Sequence, residues 1–201
     1  LQKNISHATS ELAMVEDSVA SIENTLMRAR ELAVRGANDS LSAQDREIIA
    51  TEIDSLREQL IAAANTQSTN GDYIYGGFAV ASEPYSDAGV NAVYNGDNGT
   101  KSVNIAPGLT IQTRVLGSEV FGQGSTATGV LSAFEALSVL SSGLRDNAAA
   151  AITTLTHNGV TVTHDEAINI AMDALNSNLE KVRSVRTDLG IRMNRVDEQQ
   201  R

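Results

Sequence analysis

Nine apolar side chains near the start of the chain, Ile5, Ala8, Leu12, Val15, Val19, Ile22, Leu26, Ala29 and Ala33, follow one another in alternating steps of three and four. The rhythm returns toward the other end through Ile168, Met172, Leu175, Leu179, Val182, Leu189, Met193 and Val196. Side chains so spaced trace one narrow stripe along a helix, and that stripe has to be covered by another helix. Two such stripes at opposite ends of one chain can cover each other if the middle folds back. The spacing therefore predicts a long antiparallel helix pair, with Ile22 and Leu179 inside it and a decoration projecting from its far end.

Glycine marks off the decoration. Eleven of the 15 glycines lie between Gly71 and Gly129, together with all four tyrosines, both prolines, Phe78 and Phe121. Helix interiors exclude Gly and Pro, whereas strands favour aromatics and turns need Gly and Asn. The expected fold is α+β and mainly α: an antiparallel bundle of coiled-coil-like helices with a small inserted β domain. The rod would comprise residues 1–70 and 130–201, and the insertion residues 71–129.

Local signals refine this. The first helix should run to about Arg35 and stop at Gly36, a length of roughly 50 Å at ~1.5 Å per residue. Ser42 and Asp45 have the spacing of a capping box for a second helix, whose seam is Ile49, Ile53, Leu56, Leu60 and Ala63. Thr163 and Glu166 form another box before the last helix. Between them, Tyr73-Ile74-Tyr75 reads as a short strand. Val90–Tyr94 and Lys101–Ile105 read as a hairpin across Asn95–Gly99, and Pro107-Gly108 turns the chain into Leu109–Leu116. A helical pattern spans Val130 to about Leu155, and His157-Asn158-Gly159 precedes a small hairpin or turn. The pattern is already under way at Leu1 and has no stop signal after Val196, so more rod is expected at both ends.

The formal charge of −10 argues against a protein that tracks phosphates or an anionic membrane, and no stretch approaches the ~20 apolar residues of a membrane span. Cysteine is absent, which removes disulfides and thiolate sites. His7, His157 and His164 are scattered, and no nucleophile elbow or phosphate loop occurs. Asn95-Gly96-Asp97-Asn98-Gly99 has calcium-ligand residue types without a twelve-residue loop, and reads as a turn. No catalytic, cofactor-binding or metal residue is assigned, and the chain is not expected to be an enzyme.

Three segments carry a family resemblance. Arg28-Ala29-Arg30-Glu31-Leu32-Ala33 is similar to the Arg-x-Arg-Glu-Leu-Ala signature of the flagellin superfamily. Asp45 to Gln67 resembles its next helix, and Leu189-Gly190-Ile191-Arg192-Met193-Asn194-Arg195 resembles its C-terminal Leu-Gly-x-x-x-Asn-Arg motif. Asn70-Gly71-Asp72-Tyr73-Ile74-Tyr75-Gly76-Gly77-Phe78 resembles the entry to the β region in the superfamily's hook–filament junction members, with Tyr75 where Phe is more usual. Asn70, Gly71, Tyr73, Tyr75 and Gly77 carry that block.

The resemblance implies a structural subunit joining hook to filament, with a filament-forming flagellin as the alternative. It implies an extracellular place in the bacterial flagellum, reached by the flagellar type III route without a cleaved signal peptide. The implied partners are the first hook-associated protein, flagellin, further copies in a ring and an export chaperone, with no nucleic acid, membrane or cofactor. Candidate subunit-interface residues are Arg28, Arg30, Glu31, Leu32, Arg35, Arg192, Asn194 and Arg195. Arg28, Leu32 and Glu52 match positions that host receptors read in some flagellins.

Duller readings stand beside these. The charges near Arg28 could be a solvated face with weak i,i+3 and i,i+4 pairs, and Asn194 and Arg195 could simply make the last helix polar outside. Arg186 sits in the seam between Val182 and Leu189 and reads as a snorkelling edge residue or, alternatively, a register device. Tyr73, Tyr75, Tyr85 and Tyr94 could form an exposed platform for a glycan or host surface, or a mini-core under a small sheet. Their burial separates the two.

Overall fold

The computed structural model describes residues 2–38, 40–122, 130–145, 156–157, 160–161 and 163–200. Two helices of 35 residues each dominate it, α1 (Gln2–Gly36) and α5 (His164–Glu198). They lie side by side and antiparallel: Arg183 bonds Glu23, Arg186 reaches Glu16, and Gln200 bonds Thr9. The two predicted stripes face each other, with Ile22 fully buried and Leu179 only 3% exposed.

A second helix, α2 (Ala43–Ala64), folds back along α1 after the short connection. Ser42 Oγ accepts from the Asp45 N–H at 3.1 Å, so the predicted cap satisfies an otherwise orphaned donor. The region read as a helix from Val130 yields α4 (Ala133–Leu144), opened by a full capping box between Ser132 and Glu135; residues 146–155 lie outside the described set. α4 is buried on almost every side and wedges between α2 and α5, closing a four-helix ring at this end of the rod. Gly36 permits that closure. It remains helical and does not end α1 in a left-handed turn; a Cβ there would run into the Leu144 side chain.

The β region differs from the prediction in its pairing. β1 (Tyr85–Ala88) pairs antiparallel with β2 (Asn91–Tyr94), and β3 (Ser102–Ala106) with β4 (Leu109–Gln112). The hairpin expected across Asn95–Gly99 therefore does not form: the two hairpins turn at Gly89 and Gly108, which have φ of 82° and 77°. Tyr73 makes only an isolated bridge to Gln67, so Tyr73–Tyr75 is not a strand. A short helix, α3 (Gly117–Phe121), follows β4. β5 (Thr156–His157) and β6 (Val160–Thr161) pair antiparallel ahead of α5.

Nor does the sheet project from the far end of the rod. Lys101 pairs with Glu11 at 2.8 Å, Asn4 donates to Asn104 O at 3.0 Å, and Arg192 donates to Arg114 O at 3.1 Å. These contacts seat β3–β4 beside the start of α1 and the end of α5. Ile105, Ile111 and Tyr85 join the same buried cluster as the helix seams.

Candidate functional site

The Arg-x-Arg-Glu-Leu-Ala segment occupies the last turns of α1. Arg28 bridges to Glu52 of α2 at 2.7 Å and to Glu31 at 3.2 Å, all three being well exposed. Such pairs contribute a few tenths of a kcal/mol. Arg30 and Glu31 border a shallow groove between α1 and α5, opposite Glu180 and Arg183. Arg35 is exposed. Leu32 is a core residue, only 1% exposed, because it falls on the inward side of α1. It is therefore not a surface contact: its side chain is not available to a neighbour or a receptor.

The C-terminal motif splits in the same manner. Arg192 is partly covered and faces inward along the rod: it donates to the carbonyls of Gln112 (3.3 Å) and Arg114 (3.1 Å) and pairs with Asp188. Its role within the chain is to tie the exit of β4 to α5. Asn194 and Arg195 lie on the exposed side of α5, clear of these contacts.

The Asn70–Phe78 block builds a buried corner. Asn70 and Gly71 make an exposed turn in which Gly71 has φ 83°. Tyr75 is wholly buried and donates to Ser18 Oγ of α1 at 2.9 Å. Its ring stands edge-on to Phe121, which in turn contacts Tyr85 and Phe134. Gly77 has φ 70°, and the loop beyond it is held by Asp97, whose carboxylate accepts from Phe78 N–H at 2.8 Å and Gly99 N–H at 2.6 Å. Those two amide bonds keep the Asp97 carboxyl below its ordinary range. Tyr75 and Tyr85 accordingly belong to a mini-core, with Tyr94 half-buried against it and Tyr73 half-exposed outside it, and burial pushes the Tyr75 and Tyr85 phenols well above their usual pKa.

Three polar clamps tie the elements together, and of their arginines the sequence singles out only Arg186. Arg186 bridges Glu16 at 2.5 Å and Glu23 at 2.8 Å across the seam, while Arg183 adds a second bond to Glu23. Arg186 thus pairs across the seam while its side chain stays 39% exposed. The bonds from Arg183 and Arg186 hold the Glu23 carboxyl below its ordinary pKa. Arg57 of α2, 9% exposed, reaches Asp87 at 2.7 Å and the Gly89 carbonyl, pinning the tip of β1–β2. Arg114, 5% exposed, sits between Asp72 and Glu11. The only sequence signal for these was an arginine at an otherwise apolar position, as at Arg186.

The arrangement is one of helix seams, clamps and polar outer faces, and comparison with known proteins agrees with it. Residues 1–79 match the model of the bacterial flagellin N-terminal helical region. That N-terminal region is similar to flagellins. It is 35% identical over 80 residues to flagellar hook-associated protein 3 of Escherichia coli, an alignment that covers 40% of this chain and 25% of that protein. It is 30% identical over 161 residues to a flagellin of Listeria innocua, covering 78% of this chain and 51% of the flagellin. The chain thus spans about a quarter to a half of the length of these relatives. The fold matches crystalline FlgL from Xanthomonas campestris with a TM-score of 0.83 at 18% identity, over 99% of this chain and 91% of that one. Tyr75 and Gly77 fall within the matched N-terminal region, whereas Arg192–Arg195 lie beyond it.

Proposed function

We propose that this chain is the rod-bearing part of a hook–filament junction subunit of the bacterial flagellum. The observation that carries the reading is the identity of its N-terminal region to flagellar hook-associated protein 3. The fold is consistent with it: a rod whose seams are sealed internally keeps its outer faces for neighbours. In this reading residues 1–70 and 130–201 form the rod and residues 71–129 the insertion. Exposed Arg30, Arg35, Asn194 and Arg195 meet adjacent subunits, where charges set geometry and partner choice more than affinity. The partners are further copies in a ring, the first hook-associated protein and flagellin, with a chaperone before export. The subunit reaches the outside by the flagellar secretion route, and its work is structural, not catalytic.

The likeness to the Listeria flagellin supports a second reading, a filament subunit. Deleting the gene separates the two. A junction subunit leaves hooks intact while filament monomer is shed into the medium. A filament subunit leaves hooks with no shed monomer, and that result would refute the junction assignment.

A further inference from the structure

Four Asn–Gly pairs occur in the sequence: Asn70–Gly71, Asn95–Gly96, Asn98–Gly99 and Asn158–Gly159, the last outside the described residues. In such a pair no side chain shields the following backbone nitrogen, which can attack the asparagine Cγ. The N–Cγ bond forms, the Cγ–Nδ2 bond breaks, the backbone proton passes to solvent and ammonia leaves. Water then opens the resulting succinimide to aspartate, or to isoaspartate with a main chain one methylene longer. No oxidant or reductant is needed.

Exposure does not rank the three described pairs, because Asn70, Asn95 and Asn98 are all exposed. The state of the attacking nitrogen does. Gly71 N–H donates to Ser68 O at 2.9 Å, and Gly99 N–H donates to the Asp97 carboxylate at 2.6 Å. Each bond must break before that nitrogen can attack, and the Asp97 anion further opposes loss of the Gly99 proton. Gly96 N–H has no hydrogen-bond partner among the described residues. We propose that Asn95 is the deamidation site of the folded chain, and that bonds on the glycine nitrogens protect Asn70 and Asn98.

The product changes the structure locally. Asn95 N–H donates to Pro84 O at 2.8 Å and Asp97 N–H to Gly76 O at 3.2 Å, so the 95–96 linkage is bracketed by two fixed points. An added methylene between them cannot keep both. The bond from Asn95 Nδ2 to Ser86 Oγ departs with the ammonia. The loop that holds Phe78 and Gly99 on Asp97 is released.

The test is site-resolved mass spectrometry of the folded chain held in mildly alkaline buffer, beside the same chain in urea. In the folded chain Asn95 converts at least about fivefold faster than Asn70 or Asn98, the rate factor that one retained hydrogen bond imposes. In urea the three rates converge. The Asp97→Ala variant, with helical circular dichroism intact, brings Asn98 up toward the Asn95 rate. The proposal fails if Asn70 or Asn98 leads in the folded chain, if the Asn95 lead survives in urea, or if Asp97→Ala leaves Asn98 slow.

Discussion

Replacing Tyr75 by Phe removes one hydroxyl from a buried aromatic corner and nothing else. The ring is wholly buried, edge-on to Phe121 at 5.3 Å, and its hydroxyl donates to Ser18 Oγ at 2.9 Å. Phe keeps the ring and its packing, so the change isolates that bond, worth about 1 kcal/mol. Ser18 is only half-buried and can turn toward water, which keeps the cost near that figure. For a domain of this size the melting temperature falls by roughly 2–4 °C per kcal/mol. Tyr75→Ala also removes the ring and opens a cavity among Phe121, Tyr85 and Phe134, and costs about 3–5 kcal/mol. Urea unfolding followed by circular dichroism, with Ser18→Ala completing a double-mutant cycle, reads the coupling directly; about 1 kcal/mol is expected. A Phe variant as stable as the parent with no coupling to Ser18, or an Ala variant losing under about 1 kcal/mol, would refute the placement of this corner.

Two further outcomes follow from the clamps. Glu23 has its pKa held below the ordinary 4.5 by Arg183 and Arg186, so its contribution is complete above that pH and is lost as pH falls through the lower folded value. Glu23→Gln should flatten the acid limb of a stability–pH curve and cost about 1–2 kcal/mol at neutral pH; an unchanged acid limb rules this out. Gly77→Ala places a Cβ against Asp97 at φ 70°, a strain of about 1–3 kcal/mol. Faster hydrogen exchange at the Phe78 and Gly99 amides, with α1 and α5 unchanged, is the expected sign, and a uniform loss of protection counts against it.

The parts of the fold legible in the sequence are those whose signal is periodic or strictly local. The seams of α1 and α5 repeat without a break except at Arg186, and Ser42 and Thr163 cap helices as hydroxyl residues do. Hairpin pairing was misread because Asn95–Gly99 carries the stronger turn composition, whereas the turns occur at Gly89 and Gly108. Asp97 instead draws that segment back onto Phe78, a long-range bond with no local signature. The seat of β3–β4 depends on Lys101 meeting Glu11 and Arg192 meeting the β4 carbonyls, pairings between residues far apart in the chain. Leu32 was misplaced for a different reason: the motif supplied its role, and the position of its side chain on α1 was not used.

The principal seam joins segments far apart in the sequence: Arg186 and Glu16 are 170 residues apart, and Gln200 and Thr9 are 191 apart. Contacts of that separation form late, because the whole intervening chain must be gathered before they return any free energy. α1 can zip early onto α2, its near neighbour in the sequence, but the stripe facing α5 stays uncovered until the last helix arrives. A partly folded chain therefore remains open and adhesive along one edge of α1, and arrival of the 35-residue α5 shuts it.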